Sequence, residues 1–420
     1  MSHALSNRAS IPEGEAADGG APPLLVLVPG AAAATTGESD PVILGLSLSR
    51  RIGLAARAAG YRSIVHLSPE KAAAAGGAEG ADWPGVAALA AAGRAPAVLI
   101  APTTVLGETA WFRHLAAVAT EARAWAAAGP VILLPAAIAR DALALLEAGE
   151  AAADLATIQD RLIRRFGRPA ELPADLAPMV VTTAADAERA ERHLLRSVVK
   201  ETDGFMARHV ERPISLAISR RLCATPVTPN QMTLVSLAIG LASAPFFLSS
   251  SAELQTLGAL LLLAHSILDG CDGELARLRF QESRWGGVLD FWVDNIVHGV
   301  TFACMALGWS RASGSVVPLW FGAAAVLGTL GSAGFVYWRV IRRKAVAGPV
   351  YTSVSTAPDR PLARLLDALS RRDFIYLVLA LALFGKVSWF VLLTAFGAPI
   401  FFFLVLALAW REGPAAASGA

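Results

Sequence analysis

The chain has 420 residues, of which 55% are hydrophobic and 17% charged, and its mean hydropathy is +0.52. This balance fits a membrane protein better than a water-soluble one. The formal net charge of +2 gives no support for a nucleic-acid partner, and none is expected. The cysteines are far apart and form neither a disulfide framework nor a metal-ligand pattern: Cys223, Cys271 and Cys304.

Residues 1–22 have no apolar core, so they are expected to be a flexible leader rather than a secretory signal. Residues 23–200 alternate short apolar runs with Ala- and Leu-rich segments. This alternation predicts an α/β domain, Rossmann-like, with a parallel sheet covered on both faces. The predicted strands lie within 24–30, 61–67, 97–102 and 130–136, and helices are predicted within 46–60, 109–129 and 141–168.

From residue 231 onward, apolar runs of membrane-spanning length recur, which predicts an all-α transmembrane domain over 205–411. The preceding segment is interpreted as an interfacial helix whose basic residues Arg212, Arg220 and Arg221 face lipid phosphates. Residues 412–420 are expected to be a flexible tail. Six spans are predicted, each near the ~20 residues that a bilayer requires: 231–249, 254–276, 286–309, 316–338, 373–389 and 391–410.

Basic residues fall mainly in alternate loops of this domain. The opposite loops contribute only Arg311 and Lys386. Because basic loops stay cytoplasmic, the N-terminal domain, both basic loops and the C-terminus are expected on the cytoplasmic side of the inner membrane. The basic loops hold, after the second span, Arg277, Arg279 and Arg284, and after the fourth, Arg339, Arg342, Arg343, Lys344, Arg360, Arg364, Arg371 and Arg372.

Four aspartates interrupt the second and third spans. Asp269 and Asp272 are three residues apart, and Asp290 and Asp294 are four apart, so each pair shares a helix face. One charge within the apolar zone costs roughly 2.5–3.5 kcal/mol, so a cation must offset the four acids or they must be protonated. Carboxylates without His or Cys favour a hard divalent ion such as Mg²⁺. Two such ions could hold a diphosphate and stabilise its leaving oxygen.

The residues beside these acids suit a nucleotide. Gly273 has no side chain, so a ligand could approach the backbone there, and Ala276 keeps the same face open. Arg277 supplies a planar cation suited to a phosphate. Ser283 offers a hydroxyl, and Gly286 leaves room on the facing helix.

The spacing of these residues resembles the signature of the CDP-alcohol phosphotransferases at all of its eight positions. The resemblance extends over about 205–411 and includes a TPN-x-x-T entry to the first span. It implies transfer of a phosphoalcohol group, such as phosphatidyl, from a CDP-alcohol to an acceptor hydroxyl with release of CMP, as in phospholipid biosynthesis. The matching pattern is Asp269-x-x-Asp272-Gly273-x-x-Ala276-Arg277, eight residues, and then Gly286-x-x-x-Asp290-x-x-x-Asp294.

The resemblance also implies roles for individual residues. Asp269, Asp272 and Asp290 would bind two metal ions, Mg²⁺ or alternatively Mn²⁺. Asp294 would complete the metal site and act as the general base on the acceptor hydroxyl. The implied partners are a CDP-alcohol donor, an alcohol or polyol-phosphate acceptor, membrane lipid and a second copy of the chain in a homodimer. The CDP part would be held by Asn230, Thr233, Gly273, Ala276, Arg277, Ser283 and Gly286.

Other interpretations stay open for several of these features. The aspartates could mark the cation pathway of a transporter, although that leaves the glycines and the arginine of the pattern unexplained. His265 and His298 flank the acids and are interpreted as packed or interfacial residues rather than metal ligands. Arg342, Arg343 and Lys344 either follow the charge rule alone or bind a phosphate of the acceptor.

The N-terminal domain is similar in outline to a sugar-type nucleotidyltransferase, a domain that is fused to some members of the family. That resemblance implies a basic Gly-rich loop after the first strand and then a Lys-Pro element. From Pro22 to Ser49 there is no Lys or Arg, and Asp40-Pro41 stands where Lys-Pro is expected. Because Glu38 and Asp40 would repel a triphosphate, the domain is predicted to be degenerate and catalytically silent. The alternative is a bifunctional cytidylyltransferase and phosphotransferase that makes its own CDP-polyol.

Overall fold

The computed structural model of the protein describes residues 24–28, 40–67, 79–80, 86, 97–122, 124–147, 155–172, 178–199, 203–342, 366–367 and 373–412. The chain divides into two compact units, Met1–Arg192 and His193–Ala420. The predicted leader and the predicted tail beyond Glu412 lie outside the described residues. So do the glycine-containing segment 29–39 and the basic residues from Arg343 to Arg364, together with Arg371 and Arg372.

The first unit contains a seven-stranded sheet among its described residues. Its central strand β1 (Leu24–Val28) is entirely buried and pairs in parallel with β4 (Ile64–His66) and β6 (Val98–Pro102). All four predicted strands are present, the fourth as β9 (Val131–Leu134). The remaining strands are β2 (Val42–Ile43), β3 (Leu46–Ser47), β5 (Glu79–Gly80), β7 (Val105–Leu106), β8 (Ala126–Ala128), β10 (Ala170–Glu171) and β11 (Met179–Val180). The strand order in the seven-stranded sheet is β10-β8-β9-β6-β1-β4-β5.

The sheet is mixed, so the prediction of a parallel sheet is wrong. Strand β9 runs antiparallel to both β6 and β8. A two-residue loop, Gly129-Pro130, joins β8 to β9, and Gly129 has φ +55, as the favoured short hairpin turns require. The helix predicted over 109–129 ends at Glu121, and β8 follows. Three consecutive alanines carry no periodicity that separates a strand from a helix.

Each helix of the first unit buries one stripe of apolar side chains. In Leu155–Phe166 this stripe contains Ile158 and Leu162, four residues apart, which join the same core cluster as Leu24 and Val26 of β1. Burial of each such side chain contributes about 1.5–3 kcal/mol. The helices are α1 (Leu48–Ala58), α2 (Thr109–Glu121), α3 (Ala136–Glu147), α4 (Leu155–Phe166) and α5 (Ala184–Ser197), the last of which crosses the boundary between the units.

The second unit is helical, and five of its described helices are long and apolar enough to cross a membrane. They identify the chain as a multi-pass membrane protein. The spans are Pro229–Leu248, Ala252–Leu278, Arg284–Ser313, Val317–Ile341 and Val387–Arg411. The helices are α6 (Arg212–Leu222), α7 (Pro229–Ser243), α8 (Ala252–Leu278), α9 (Arg284–Ser313), α10 (Val317–Val336), α11 (Phe374–Leu383) and α12 (Val387–Glu412).

The fifth of the six predicted spans, 373–389, is not confirmed. Of the segment 373–389, helix α11 has ten residues, which cover about 15 Å, half of the ~30 Å hydrocarbon core. Gly385 then adopts φ +63, a conformation that ends helices, and α12 begins at Val387.

The long helices end at two opposite sides of the second unit. Arg284, at the start of α9, donates to the carbonyl of Arg342 just beyond α10, and Arg339 donates to Ala409 near the end of α12. These three helix ends therefore share one side. Tryptophans that are more than half exposed lie at both sides, as in the aromatic belts of membrane proteins: Trp285, Trp338 and Trp410 on this side, and Trp320 and Trp389 on the other.

Candidate functional site

The aspartates lie where α8 ends and α9 begins. Only residues 279–283 connect the two helices, and Phe280 turns the chain with φ +56. Ser283 caps α9, since its Oγ accepts a hydrogen bond from the Gly286 amide at 3.0 Å. The last turns of α8 and the first turns of α9 therefore bring their acidic side chains to the same end of the unit.

Three of the four carboxylates come together. Asp269 and Asp272 are 4% and 6% exposed, and Asp290 is half-buried. One oxygen from each lies within 4.8 Å of the other two. An all-oxygen set of anionic ligands fits a hard divalent ion such as Mg²⁺ or Mn²⁺. These three residues therefore fit the metal that the resemblance implies.

Asp294 lies one turn further along α9 and is not one of this trio. Its Oδ1 is 3.6 Å from Nε2 of His265, a buried residue of α8. Nδ1 of His265 lies 2.9 Å from the carbonyl oxygen of Ser236, so that nitrogen carries a proton and donates it. The role of Asp294 as a metal ligand stays a prediction, and so does its role as the base.

Helix α7 carries two of the predicted nucleotide-binding residues: Thr233 contacts one of the acids, and Asn230 lies beside Gly286 of α9. It begins at a capping box between Thr228 and Gln231. Thr233 Oγ1 then donates to Asp272 Oδ2. The other contact is at Gly286, where an added Cβ would lie 3.0 Å from Asn230 Oδ1. Asn230, Ser283 and Gly286 thus lie together at the adjoining starts of α7 and α9, and nucleotide binding by these residues and Thr233 stays a prediction.

Gly273 and Arg277 are also adjacent, but in a way that the sequence did not indicate. A Cβ on Gly273 would lie 3.3 Å from a terminal guanidinium nitrogen of Arg277, so the arginine side chain lies over the glycine. The other terminal nitrogen donates to the carbonyl of Val198 at 3.2 Å. Ala276 lies one turn beyond Asp272, and its carbonyl accepts from the Gln281 amide. Nucleotide binding by these three residues stays a prediction.

A buried ion pair next to the site was missed by the sequence analysis. Glu274 of α8 is paired with Arg212 at 2.8 Å, and Arg212 also holds Asp203 at 2.7 Å. Burial lowers the pKa of Arg212, but the hydrogen bonds and charges of Asp203 and Glu274 outweigh it and raise that pKa above its usual value. The expectation that Arg212 faces lipid phosphates is therefore wrong, whereas Arg220 and Arg221 are exposed. Because an acidic residue inside a membrane span requires a partner, the position of Glu274 in the sequence already indicated that a basic residue pairs with it.

The family profile for CDP-alcohol phosphatidyltransferase matches residues 226–365. This segment belongs to that family. The match contains every acidic residue of the site, and the resemblance inferred from the motif is confirmed. Within the phosphatidyltransferase segment, residues 226–342 are described by the structure.

Curated relatives are similar to part of the chain. A Thermococcus kodakarensis protein named bifunctional IPC transferase and DIPP synthase is 38% identical over 182 residues, 43% of this chain and 40% of the relative. An archaetidylinositol phosphate synthase of Pyrococcus horikoshii is 34% identical over 100 residues, 24% of this chain and 50% of the relative. The chain thus spans half or less of the length of these relatives.

A solved structure is also similar in part. The crystal structure of Mycobacterium tuberculosis phosphatidylinositol phosphate synthase in complex with manganese and citrate is 22% identical, and the match covers 49% of this chain and 92% of that chain. Its TM-score is 0.32, which is too low to inform the arrangement of the helices here.

Proposed function

We propose that the chain is a membrane CDP-alcohol phosphotransferase that moves a phosphoalcohol group, such as phosphatidyl, to the hydroxyl of an alcohol or polyol-phosphate acceptor. The observation that carries the proposal is the trio Asp269, Asp272 and Asp290 within 4.8 Å, inside a segment that matches the family. Acidic residues inside a membrane span are rare, and those that occur usually have a function.

The metal would be held by these three carboxylates together with Asp294. Two ions, Mg²⁺ or Mn²⁺, fit the four negative charges. When bound, such ions neutralise a diphosphate and stabilise the oxygen that leaves with CMP.

The chain's own residues would bind the donor and move the proton. The amide end of α9, with Asn230, Ser283 and Gly286 beside it, suits a phosphate because helix N-termini favour anions. Asp294 takes the proton of the acceptor hydroxyl, the acceptor oxygen bonds to the phosphorus that carries the alcohol, and the bridging phosphorus–oxygen bond to CMP breaks. Nε2 of His265 lies 3.6 Å from Oδ1 of Asp294 and would be the nearby group that takes the proton on from this carboxyl.

The side that carries the acids would be cytoplasmic in an inner membrane, with both termini on that side. The arginines of the described helix ends support this orientation by the positive-inside rule: Arg279, Arg284, Arg339, Arg342 and Arg411. A CDP-alcohol would reach the site from that side, where cytidine nucleotides are available. Membrane lipid as a substrate and pairing of two chains through their spans stay predictions.

The N-terminal α/β unit would be catalytically silent. Asp40 accepts hydrogen bonds from the Ser49 amide at 3.1 Å and from the Ser49 hydroxyl, at the first turn of α1. The end of the helix that would attract a phosphate is thus already occupied by a carboxylate. The second candidate function is a bifunctional enzyme, and the name of the Thermococcus kodakarensis relative favours it.

One assay separates these candidates. The purified full chain is incubated with Mg²⁺, a panel of CDP-alcohols and candidate acceptors, and released CMP is measured. Wild type and Asp160→Asn, which alters an exposed residue of α4, should release CMP, whereas Asp290→Asn should not. Ion flux in vesicles without CMP release would favour the transporter. Release of pyrophosphate from CTP and a polyol phosphate, retained by Asp290→Asn, would establish the bifunctional enzyme.

A further inference from the structure

Glu274 is fully buried, although it is charged and lies in a predicted span. Its Oε1 accepts hydrogen bonds from Arg212 at 2.8 Å and from the Ser215 hydroxyl at 2.6 Å. Its Oε2 accepts one from the Ser219 hydroxyl at 2.7 Å. Three side chains of α6 thus enclose one carboxylate of α8. We call these four residues, Arg212, Ser215, Ser219 and Glu274, the α6 clasp.

A glycine of α8 allows the α6 side chains of the clasp to approach the helix backbone. An added Cβ on Gly270 would lie 3.1 Å from a terminal nitrogen of Arg212, so a larger residue would press on the guanidinium, whereas the 3.7 Å to the Ser215 side chain is an ordinary contact. Asp203 binds the other edge of the same guanidinium at 2.7 and 3.0 Å. A bidentate contact of this kind fixes the plane and direction of an arginine.

The clasp and the metal-binding acids occupy opposite faces of α8. At about 100° per residue, Glu274 lies about 140° from Asp269 and about 200° from Asp272. The mean direction of the two aspartates is therefore about 170° from Glu274. A force that turns Glu274 about the helix axis turns both aspartates with it, because a helix backbone is stiff over one and a half turns.

We propose that the α6 clasp sets the rotation of α8 about its axis and thereby aims Asp269 and Asp272 at Asp290, with Arg212 and Glu274 as positioning residues. This inference rests on the proposed metal-dependent function. A rotation of about 10° moves an oxygen about 5 Å from the axis by about 0.9 Å, whereas metal–ligand distances tolerate about 0.2 Å. A directional clasp holds this angle, which a smooth apolar contact with α6 would leave free to vary.

The test measures Mn²⁺ affinity by electron paramagnetic resonance on the full chain in detergent without any substrate, and the melting temperature of each variant in parallel. Glu274→Ala and Arg212→Ala should weaken Mn²⁺ binding about 10–100-fold, as loss of groups that support metal ligands does. Glu274→Gln should stay within about twofold, because its amide oxygen accepts from Arg212 and Ser215 and its NH₂ donates to Ser219. Arg221→Ala, an exposed position of the same helix, is the matched control.

The outcomes divide clearly. Weakened Mn²⁺ binding in the alanine variants with rescue in Glu274→Gln supports the inference. Wild-type affinity in folded Glu274→Ala, with only a lower melting temperature, overturns it, and so does a loss in Glu274→Gln equal to that in Glu274→Ala. If the alanine variants do not fold, Ser219→Ala decides, since it removes one hydroxyl and leaves the ion pair: an affinity equal to wild type refutes the inference.

The same experiment keeps the inference apart from the proposed function. A wild-type chain whose Mn²⁺ affinity depends on the clasp, but which releases no CMP from any donor, would end the proposed function and leave the positioning role standing. A wild-type chain without measurable Mn²⁺ affinity would overturn the inference, because the clasp would then have no site to aim.

Discussion

Replacing Asp290 by asparagine should have opposite effects on stability and on metal binding. Without metal, three carboxylates stand within 4.8 Å of one another. At that separation two unit charges repel by about 3.5 kcal/mol at an effective dielectric constant of 20, and by about 1 kcal/mol where water screens them fully. Asp290 is half-buried, so its repulsion from each of the other two carboxylates should lie between these two values. The asparagine variant has no charge at this position and loses that repulsion. The metal-free variant should therefore be more stable than wild type.

Each kcal/mol corresponds to about 2–4 °C in melting temperature for a domain of 150–250 residues. We expect Asp290→Asn to melt at least about 2 °C above wild type in a chelator at pH 8.5. With Mn²⁺, wild type should gain stability in proportion to its affinity, whereas the variant should gain little and release no CMP.

The control is Asp160→Asn, which removes a carboxylate that is exposed on α4. It should match wild type in both conditions. An Asp290→Asn variant that melts below wild type in chelator, yet still gains stability from Mn²⁺ and turns over, would refute the metal site and the reasoning from charge repulsion.

Three further variants test other parts of the site and the fold. Asp294→Asn should abolish CMP release while Mn²⁺ affinity falls less than in Asp290→Asn, because Asp294 is not one of the trio within 4.8 Å; equal losses in the two variants would contradict this. Thr233→Val removes the hydroxyl that donates to Asp272 and should lower kcat about tenfold, with Thr233→Ser retaining most of the rate. Gly328→Ala should destabilise by about 1–3 kcal/mol, because its Cβ would lie 2.6 Å from the backbone nitrogen of Pro399, while Gly334→Ala, with open space, should melt like wild type.

Much of the site was predictable because its information is local. The spacings of three and four residues place each aspartate pair on one helix face whatever the rest of the chain does. The starts of α7 and α9 were likewise encoded locally, by the Thr228 capping box and by the Ser283 cap. Long apolar runs marked all five spans, although their exact ends shift by a few residues.

The predictions that were wrong or not confirmed concern features that depend on contacts between distant segments. Strand β9 follows β8 through a tight Gly129-Pro130 turn and so runs antiparallel, but nothing in its apolar sequence distinguishes that direction from a parallel one. The predicted fifth span had the composition of a membrane helix, yet the structure gives α11 only ten residues before Gly385 turns the chain.

The sequence by itself determined which aspartates share a helix face, because helical periodicity is a property of neighbouring residues. Only the tertiary structure decided that Asp290 joins Asp269 and Asp272 while Asp294 lies beside His265, and that Arg212 turns inward to Glu274. The reason is that a helix face can meet many partners, and the choice among them follows from the packing of all the helices together.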